Sequence, residues 1–373
     1  MLASNRRARY PVDMRSIPLG KSAADRRSTG RALRSSLCLV IGAAVSIVAA
    51  GVIGATARSA HAQAATPPVR TADPAQRGVP LSAFPRIVQL APRVYGYEEI
   101  RQPGFTTVSL FVVGRDGVLI ADGQGSTRAT QTMLDLIRTV TPLPIHWYVV
   151  GSDHGDHTAG NSVLPTGITY IAHRNSKAQL ERDATAAATA NARAAADAAA
   201  KGTAAPPPRV VVVPPMAMSS DREVIDLGGI SVDVLFLGRA HTGGDLMVHV
   251  PSEKILFMSE AYLNRVFPAM RSAYPSDWVR LTEKALAMDV TRYVPGHGFI
   301  EASAASREEL VAFRASLQAV IAEVTRLHAR GLSVDDAIAQ ANWGEYKQWF
   351  LADQQAAIAV RRVYDELNGR LPQ

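Results

Sequence analysis

Four times between residues 145 and 298 a short apolar run ends in a loop that carries imidazole or carboxylate side chains. Ile145 to Val150 runs into GSDHGDHTAGN (151–161), and Val232 to Leu237 into GRAHTGGD (238–245). Ile255 to Met258 is followed by Ser259 and Glu260, and Tyr293-Val294 by PGHG (295–298). Apolar, β-branched and aromatic runs closed by Gly or Pro read as strands. A chain of this kind is restricted to an α/β plan in which several strands deliver ligand-type residues to one sheet edge. A single loop histidine is more often a surface or core residue. Four such loops, in a chain with nine histidines, form a constellation.

The other elements follow from periodicity. Val94 to Tyr97, Thr107 to Val113 and Gly117 to Asp122 read as strands, with GRDG at 114–117 as a hairpin turn. Residues 127–140 have apolar positions at helical spacing, and a further helix runs from Trp278 to Met288. Val210 to Val213 and Leu246 to Val250 complete the strand set. Residues 63–92, rich in Pro, Ala and Gln, read as a linker or loosely docked arm. The Ala-rich stretch 176–208 reads as a solvated insertion of one or two helical segments with a proline-rich return. From 303 to 373 the pattern is helical over 304–330, 333–341 and 345–369. Gly331 marks a stop, and Ser333 is a good N-cap ahead of Asp335 and Asp336. The expected organisation is a leader at 1–62, an arm at 63–92, a main domain at 93–302 and a helical C-terminal extension.

The net charge of +7 is misleading as a guide to partners. Residues 1–62 hold ten Lys/Arg and two Asp/Glu, which leaves the remainder near neutrality. No nucleic-acid partner is implied; the partner expected is a small-molecule substrate. In the leader, arginines precede an apolar run from Leu37 to Ile53, and Ser59-Ala60-His61-Ala62 offers a small-x-small cleavage pattern before Gln63. That is an export signal to the periplasm or exterior, with no membrane attachment after cleavage; the alternative is a retained N-terminal membrane anchor. Cys38, the only cysteine, lies in the part removed. Any metal in the mature chain must therefore be held by His, Asp and Glu.

The segments SDHGDHTAGN, GRAHTGGDLMVHVPSEKILFMSE and YVPGHG resemble, in order, spacing and strand pattern over roughly residues 93–300, the signature segments of the metallo-β-lactamase superfamily. The resemblance implies a four-layer α-β-β-α sandwich with one or two metal ions, usually zinc, at one edge. It would place His154 and His241 in a first metal site, and Asp156, His157 and His297 in a second. The family's bridging aspartate falls at Glu260, and its first histidine at Ser152; both are departures. Asp122 falls where the family has a supporting strand-end aspartate.

Catalytic zinc takes three protein ligands and leaves a position open for water. The second site keeps its full set, whereas the first keeps two histidines, because a serine hydroxyl is a poor zinc ligand. Glu260 is one methylene longer than aspartate and would have to fold back. The expectation is one firmly held zinc and a weakened first site, with Asp153, His173 or His249 as other possible donors. Asp156 would bind metal and orient the nucleophile, and Ser152 would hold a water or polarise a carbonyl. Tyr262 and Phe267, just after Glu260, would touch substrate. Trp343, Tyr346, Trp349 and Phe350 read as packing between helices. The activity implied is hydrolysis of an ester, lactone, thioester or lactam; the alternatives are a mononuclear iron oxygenase on the same fold, and a non-catalytic binding module. Oligomeric state is not legible.

Overall fold

A computed structural model describes residues 69–372. The leader and its cleavage or anchor reading lie outside these residues. Among those described, no helix is long and apolar enough to cross a membrane.

The chain enters through a short turn α1 (Pro74–Arg77), capped by the Asp73 carboxylate on the Ala75 amide at 2.8 Å. Strands β1 (Arg86–Ala91), β2 (Val94–Arg101), β3 (Phe105–Val113) and β4 (Val118–Ala121) form an antiparallel meander. Helix α2 (Thr127–Val140) crosses to β5 (Ile145–Val149), which lies parallel to β4. A one-turn helix α3 (Gly155–Thr158) leads on to β6 (Thr169–Ile171), parallel to β5. Helix α4 (Arg174–Ala200) follows as one unbroken 27-residue element. The second sheet is built from β7 (Arg222–Asp226), β8 (Ser231–Leu235), β9 (Met247–Val250), β10 (Ile255–Phe257) and β11 (Arg292–Val294), with α5 (Pro275–Ala287) crossing between the last two. The chain closes with α6 (Ser303–Ala329), α7 (Val334–Gln340) and α8 (Ala352–Leu367). The sheet orders are β1-β2-β3-β4-β5-β6 and β11-β10-β9-β8-β7.

The alternation of side chains along the strands makes three apolar layers. Leu110, Val112, Leu119 and Ala121 of the first sheet meet Val232, Val234, Val248 and Phe257 of the second. Their neighbours Phe111, Val118 and Ile120 point the other way, onto Met133, Leu134 and Ile137 of α2 and Leu180 of α4. On the far side, Met247, Leu256 and Tyr293 pack against Trp278 and Leu281 of α5, Phe313 and Leu317 of α6 and Val363 of α8. Period-two strands buried on both faces read as continuous apolar runs, and they need helices outside them. The result is a four-layer α-β-β-α sandwich.

Three expectations change. The arm at 63–92 is not loose where it is described: β1 is the edge strand, Arg70 is ion-paired with Glu308 and Glu309 at 2.7 and 2.8 Å, and Arg77 with Glu301. Val210 to Val213 form no strand, because Pro206 to Pro208 and Pro214-Pro215 on either side withhold amide donors. The Ala-rich insertion is a single helix whose first turns wall a cavity described below.

Candidate metal centre

The strands bring their C-terminal ends to one edge, and Asp122 at the end of β4 ties them together. Its Oδ1 accepts from the amides of Gly151 and Ser152 at 2.7 and 3.2 Å, and its Oδ2 from the Ser259 hydroxyl and, at 3.1 Å, lies beside Nδ1 of His157. One buried carboxylate thus fixes the loop after β5, the turn after β10 and one imidazole. Close approach demands glycine: a Cβ at Gly151 would stand 2.7 Å from Cβ of Ser259, and one at Gly296 would stand 2.4 Å from the Ser259 carbonyl carbon. Asp122 and Ser259 themselves hold φ of 62° and 47°, a conformation that side chains adopt only under local constraint.

From this frame six side chains converge. Ligand atoms of Asp156, His157, Glu260 and His297 all lie within 4.8 Å of one another, as do those of His154, His241 and Glu260. Oε1 of Glu260 is 3.2 Å from Nε2 of both His241 and His297, and Oε2 is 3.0 Å from Nδ1 of His154. Glu260 therefore belongs to both groups. Nε2 of His297 stands 3.0 Å from Oδ2 of Asp156 and 3.3 Å from Nε2 of His157. Two of the outer nitrogens are anchored elsewhere. Nδ1 of His297 donates to the Thr106 carbonyl at 2.8 Å, since a carbonyl can only accept, and this aims Nε2 into the cluster. Nε2 of His154 meets the Ser272 hydroxyl at 3.3 Å. His241 is held by its loop, where the Asp245 carboxylate accepts from the Thr242 amide and hydroxyl, both at 2.7 Å; its buried Nδ1 has no partner.

Electrostatics agree with a cation site. Burial disfavours charge on His154, Asp156, His157, Glu260 and His297, yet their neighbours reverse that. Glu260 pushes His154 up to about 10, and contacts with Asp156 and Glu260 push His297 up to about 9. His157 is raised against its burial by Asp122 and Glu260. Against burial and mutual repulsion, His297 and His157 hold Asp156 below the usual carboxylate range; His241, His154 and His157 hold Glu260 well below it. Ring nitrogens face ring nitrogens across two carboxylates, an arrangement satisfied by protons or by a metal ion in their place. The donor set, four imidazoles and two carboxylates without sulfur, fits a divalent zinc or another first-row ion.

The cluster floors a cavity of about 1030 Å³. Asn175, Gln179 and Arg182 of α4 wall one side, and Gln354, Gln355 and Arg362 of α8 wall another. Arg101, from the end of β2, reaches in and pairs with Asp156.

The structure brings together His154, Asp156, His157, His241, Glu260 and His297, and corrects three other assignments. Ser152 does not face the cavity: its hydroxyl donates to Glu260 at 2.6 Å and accepts from the His154 amide at 3.3 Å. Its only proton is committed, so none remains for a water or a carbonyl. Tyr262 and Phe267 are buried in the layer under α6, with Tyr262 against Phe313 and Phe267 against Trp343; Leu263 and Val266 line the cavity instead. Of the spare donors, His173 stacks on Phe236 and His249 lies 3.6 Å from Asp233, both away from the cluster; Asp153 is buried at the cavity edge, its carboxyl pushed up to about 7 by burial. Sequence reading missed Arg101, Thr106, Ser272 and the helical walls, none of which carries a local motif.

No family model matches the sequence. The chain is 22 % identical over 192 residues to the 2,4-dinitroanisole O-demethylase subunit alpha of Nocardioides sp. (strain JS1661), a match that covers 51 % of this chain and 52 % of that protein. The chain thus spans about half the length of this curated relative. Among solved structures, the sec-alkylsulfatase Pisa1 from Pseudomonas sp. superposes with a TM-score of 0.58 at 15 % identity, covering 75 % of this chain and 50 % of that one. A metallo-β-lactamase from Pontibacter korlensis gives 0.49 at 18 % identity, covering 62 % and 98 %. The chain has the metallo-β-lactamase fold, and the cluster at its sheet edge offers two donor groups that could each hold a metal ion.

Proposed function

We propose that this chain is an exported zinc-dependent hydrolase that opens a carbonyl, of an ester, lactone, thioester or lactam, on a small molecule. The observation that carries this reading is the convergence of four imidazoles, Asp156 and Glu260 in one cluster, all but the buried His157 lining a single cavity. A divalent ion bound there supplies an acidified water and polarises a carbonyl oxygen. The protein's part is positional. His157, His297, Asp156 and Glu260 would hold the firmer ion; His154, His241 and Glu260 would hold a second. Arg101 keeps Asp156 turned into the cluster. Amide side chains from α4 and α8 offer hydrogen bonds to the parts of a substrate away from the reacting bond. The basic leader with its small-residue end supports export.

The likeness to an O-demethylase subunit supports a second reading, cleavage of an activated aryl methyl ether at the same centre. The iron oxygenase reading needs one ion, whereas Glu260 stands in two donor groups. Metal analysis of the purified chain, followed by an ester, lactone, thioester, lactam and nitroanisole panel with and without oxygen, separates these. Zinc with oxygen-independent ester or lactam turnover is expected; undiminished hydrolysis by chelated, metal-free protein would end the proposal.

A further inference from the structure

We infer that Ser152 and Glu260 are an interlocked pair: the serine hydroxyl fixes one carboxylate oxygen of Glu260, and this lets a single glutamate complete both donor groups, so that the chain takes two metal ions. The inference rests on the metal-centre reading above and not on the reaction assigned to it.

Glu260 sits in a tight turn (Ser259–Ala261) after β10, and its backbone is fixed by the contacts of Ser259 with Asp122 and Gly296. From that fixed point the side chain has three rotatable bonds, and an untethered carboxylate could take several positions. Ser152 selects one. The two residues are 108 positions apart, both are buried, and the 2.6 Å contact is a charge-assisted hydrogen bond to an ionised oxygen. With Oε2 held there and 3.0 Å from Nδ1 of His154, Oε1 falls 3.2 Å from Nε2 of both His241 and His297. The tether and the sharing are one arrangement: a rotation that broke the first would withdraw Oε1 from the second.

The lengths are complementary as well. A short residue at 152 leaves room for the longer acid at 260. An imidazole at 152 would collide with a carboxylate that now lies 2.6 Å from Oγ; an aspartate at 260 would fall short of the hydroxyl. Each position therefore tolerates change only if the other changes with it. The group His154, His241 and Glu260 then has the three protein ligands that a catalytic ion needs, with no donor required from position 152.

Zinc titration of the chelator-stripped chain, by calorimetry and native mass spectrometry, tests this. Wild type is expected to take two equivalents. S152A should keep its circular dichroism and its tighter ion but lose about 10–100-fold in affinity for the weaker one, the usual cost of removing a hydrogen bond that orients a ligand. E260D should show the same loss. S152H should lose the weaker ion through crowding, and S152H/E260D should recover it. A wild-type chain that takes one equivalent, an S152A chain with both affinities unchanged, or a double variant no better than its worse parent would each overturn the inference. If S152A fails to fold, the recovery in S152H/E260D decides alone. Two bound ions without turnover on any substrate would end the hydrolase reading and leave this one standing.

Discussion

The two halves of the metal centre are built to different standards. Asp156, His157 and His297 each have a neighbour behind them: the Asp122 carboxylate 3.1 Å from Nδ1 of His157, the Thr106 carbonyl under His297, Arg101 beside Asp156. His154 and His241 are held less firmly. The side chain of His154 is a quarter exposed and leans on Ser272 through a long contact, and the buried Nδ1 of His241 has no partner. Affinity for an ion depends on how little the ligands must reorganise, so the difference lies in the support and not in the ligands. The half built on Asp156, His157 and His297 should hold its ion through dialysis, and the half built on His154 and His241 should exchange.

The largest expected effect tests the firm half. H157A or H297A should empty the chain of tightly held metal and bring hydrolysis to background, read by metal content and turnover; retention of one tight equivalent in both would reverse the order of the halves. H241A should leave one equivalent in place and lower turnover only in part, as measured by the zinc-to-protein ratio. Next comes the support itself. D122N keeps size but removes the charge that fixes His157 and receives the Ser259 hydroxyl, so it should weaken the firm ion about 10–100-fold; an unchanged zinc titration would show that the frame holds without it.

pH separates the halves more gently. In the chain stripped of metal, His297 and His154 titrate at about 9 and about 10, above the ordinary 6.5. A raised imidazole contributes stability that is complete below its unfolded value and is lost as pH climbs through the folded value. The stripped chain should therefore lose thermal stability between pH 6.5 and about 10, mostly through the buried His297, because water screens the more exposed His154. Zinc competes with these same protons, so its affinity should rise across that window. Melting curves from pH 6 to 10, with and without zinc, check both; a stripped chain that gains stability with pH would contradict the sign. The smallest effect falls on Arg101, which is more than a third exposed: R101L should cost roughly tenfold or less in turnover, in keeping with the modest worth of exposed ion pairs.

The ligand residues were legible because strand ends and glycine-rich loops are local patterns, and four of them in order leave few folds to choose from. The four-layer sandwich was implied by the resemblance that those loops carry; the strand and helix pattern alone pointed only to an α/β plan. What escaped depends on tertiary contact. Tyr262 and Phe267 are near Glu260 in the chain, but the turn at Ser259–Ala261 sends them under α6, while Leu263 and Val266 between them face the cavity. Ser152 was judged by what it could not ligate, and its partner lies 108 residues away. The cavity walls on α4 and α8 come from an Ala-rich helix and from a C-terminal helix, neither of which has a composition that hints at a site. The arm was misjudged because one short edge strand hid in a proline-rich stretch.

Phe350 has a consequence for how the protein comes into being. Its carbonyl accepts from the Phe267 amide at 2.9 Å, and its amide donates to the Arg265 carbonyl at 3.1 Å, so it closes the segment that continues from Glu260. Both sheets can be complete once residue 294 has been made, and His297 then pairs with Leu263 and Asn264, yet the backbone of Arg265 and Phe267 has no partner until residue 350 emerges. Synthesis thus proceeds from amino terminus to carboxyl terminus through a chain that has its scaffold before it has its chamber. The last helices are the clasp of the metal loop, and a chain stopped before them would carry every ligand without the means to keep them enclosed.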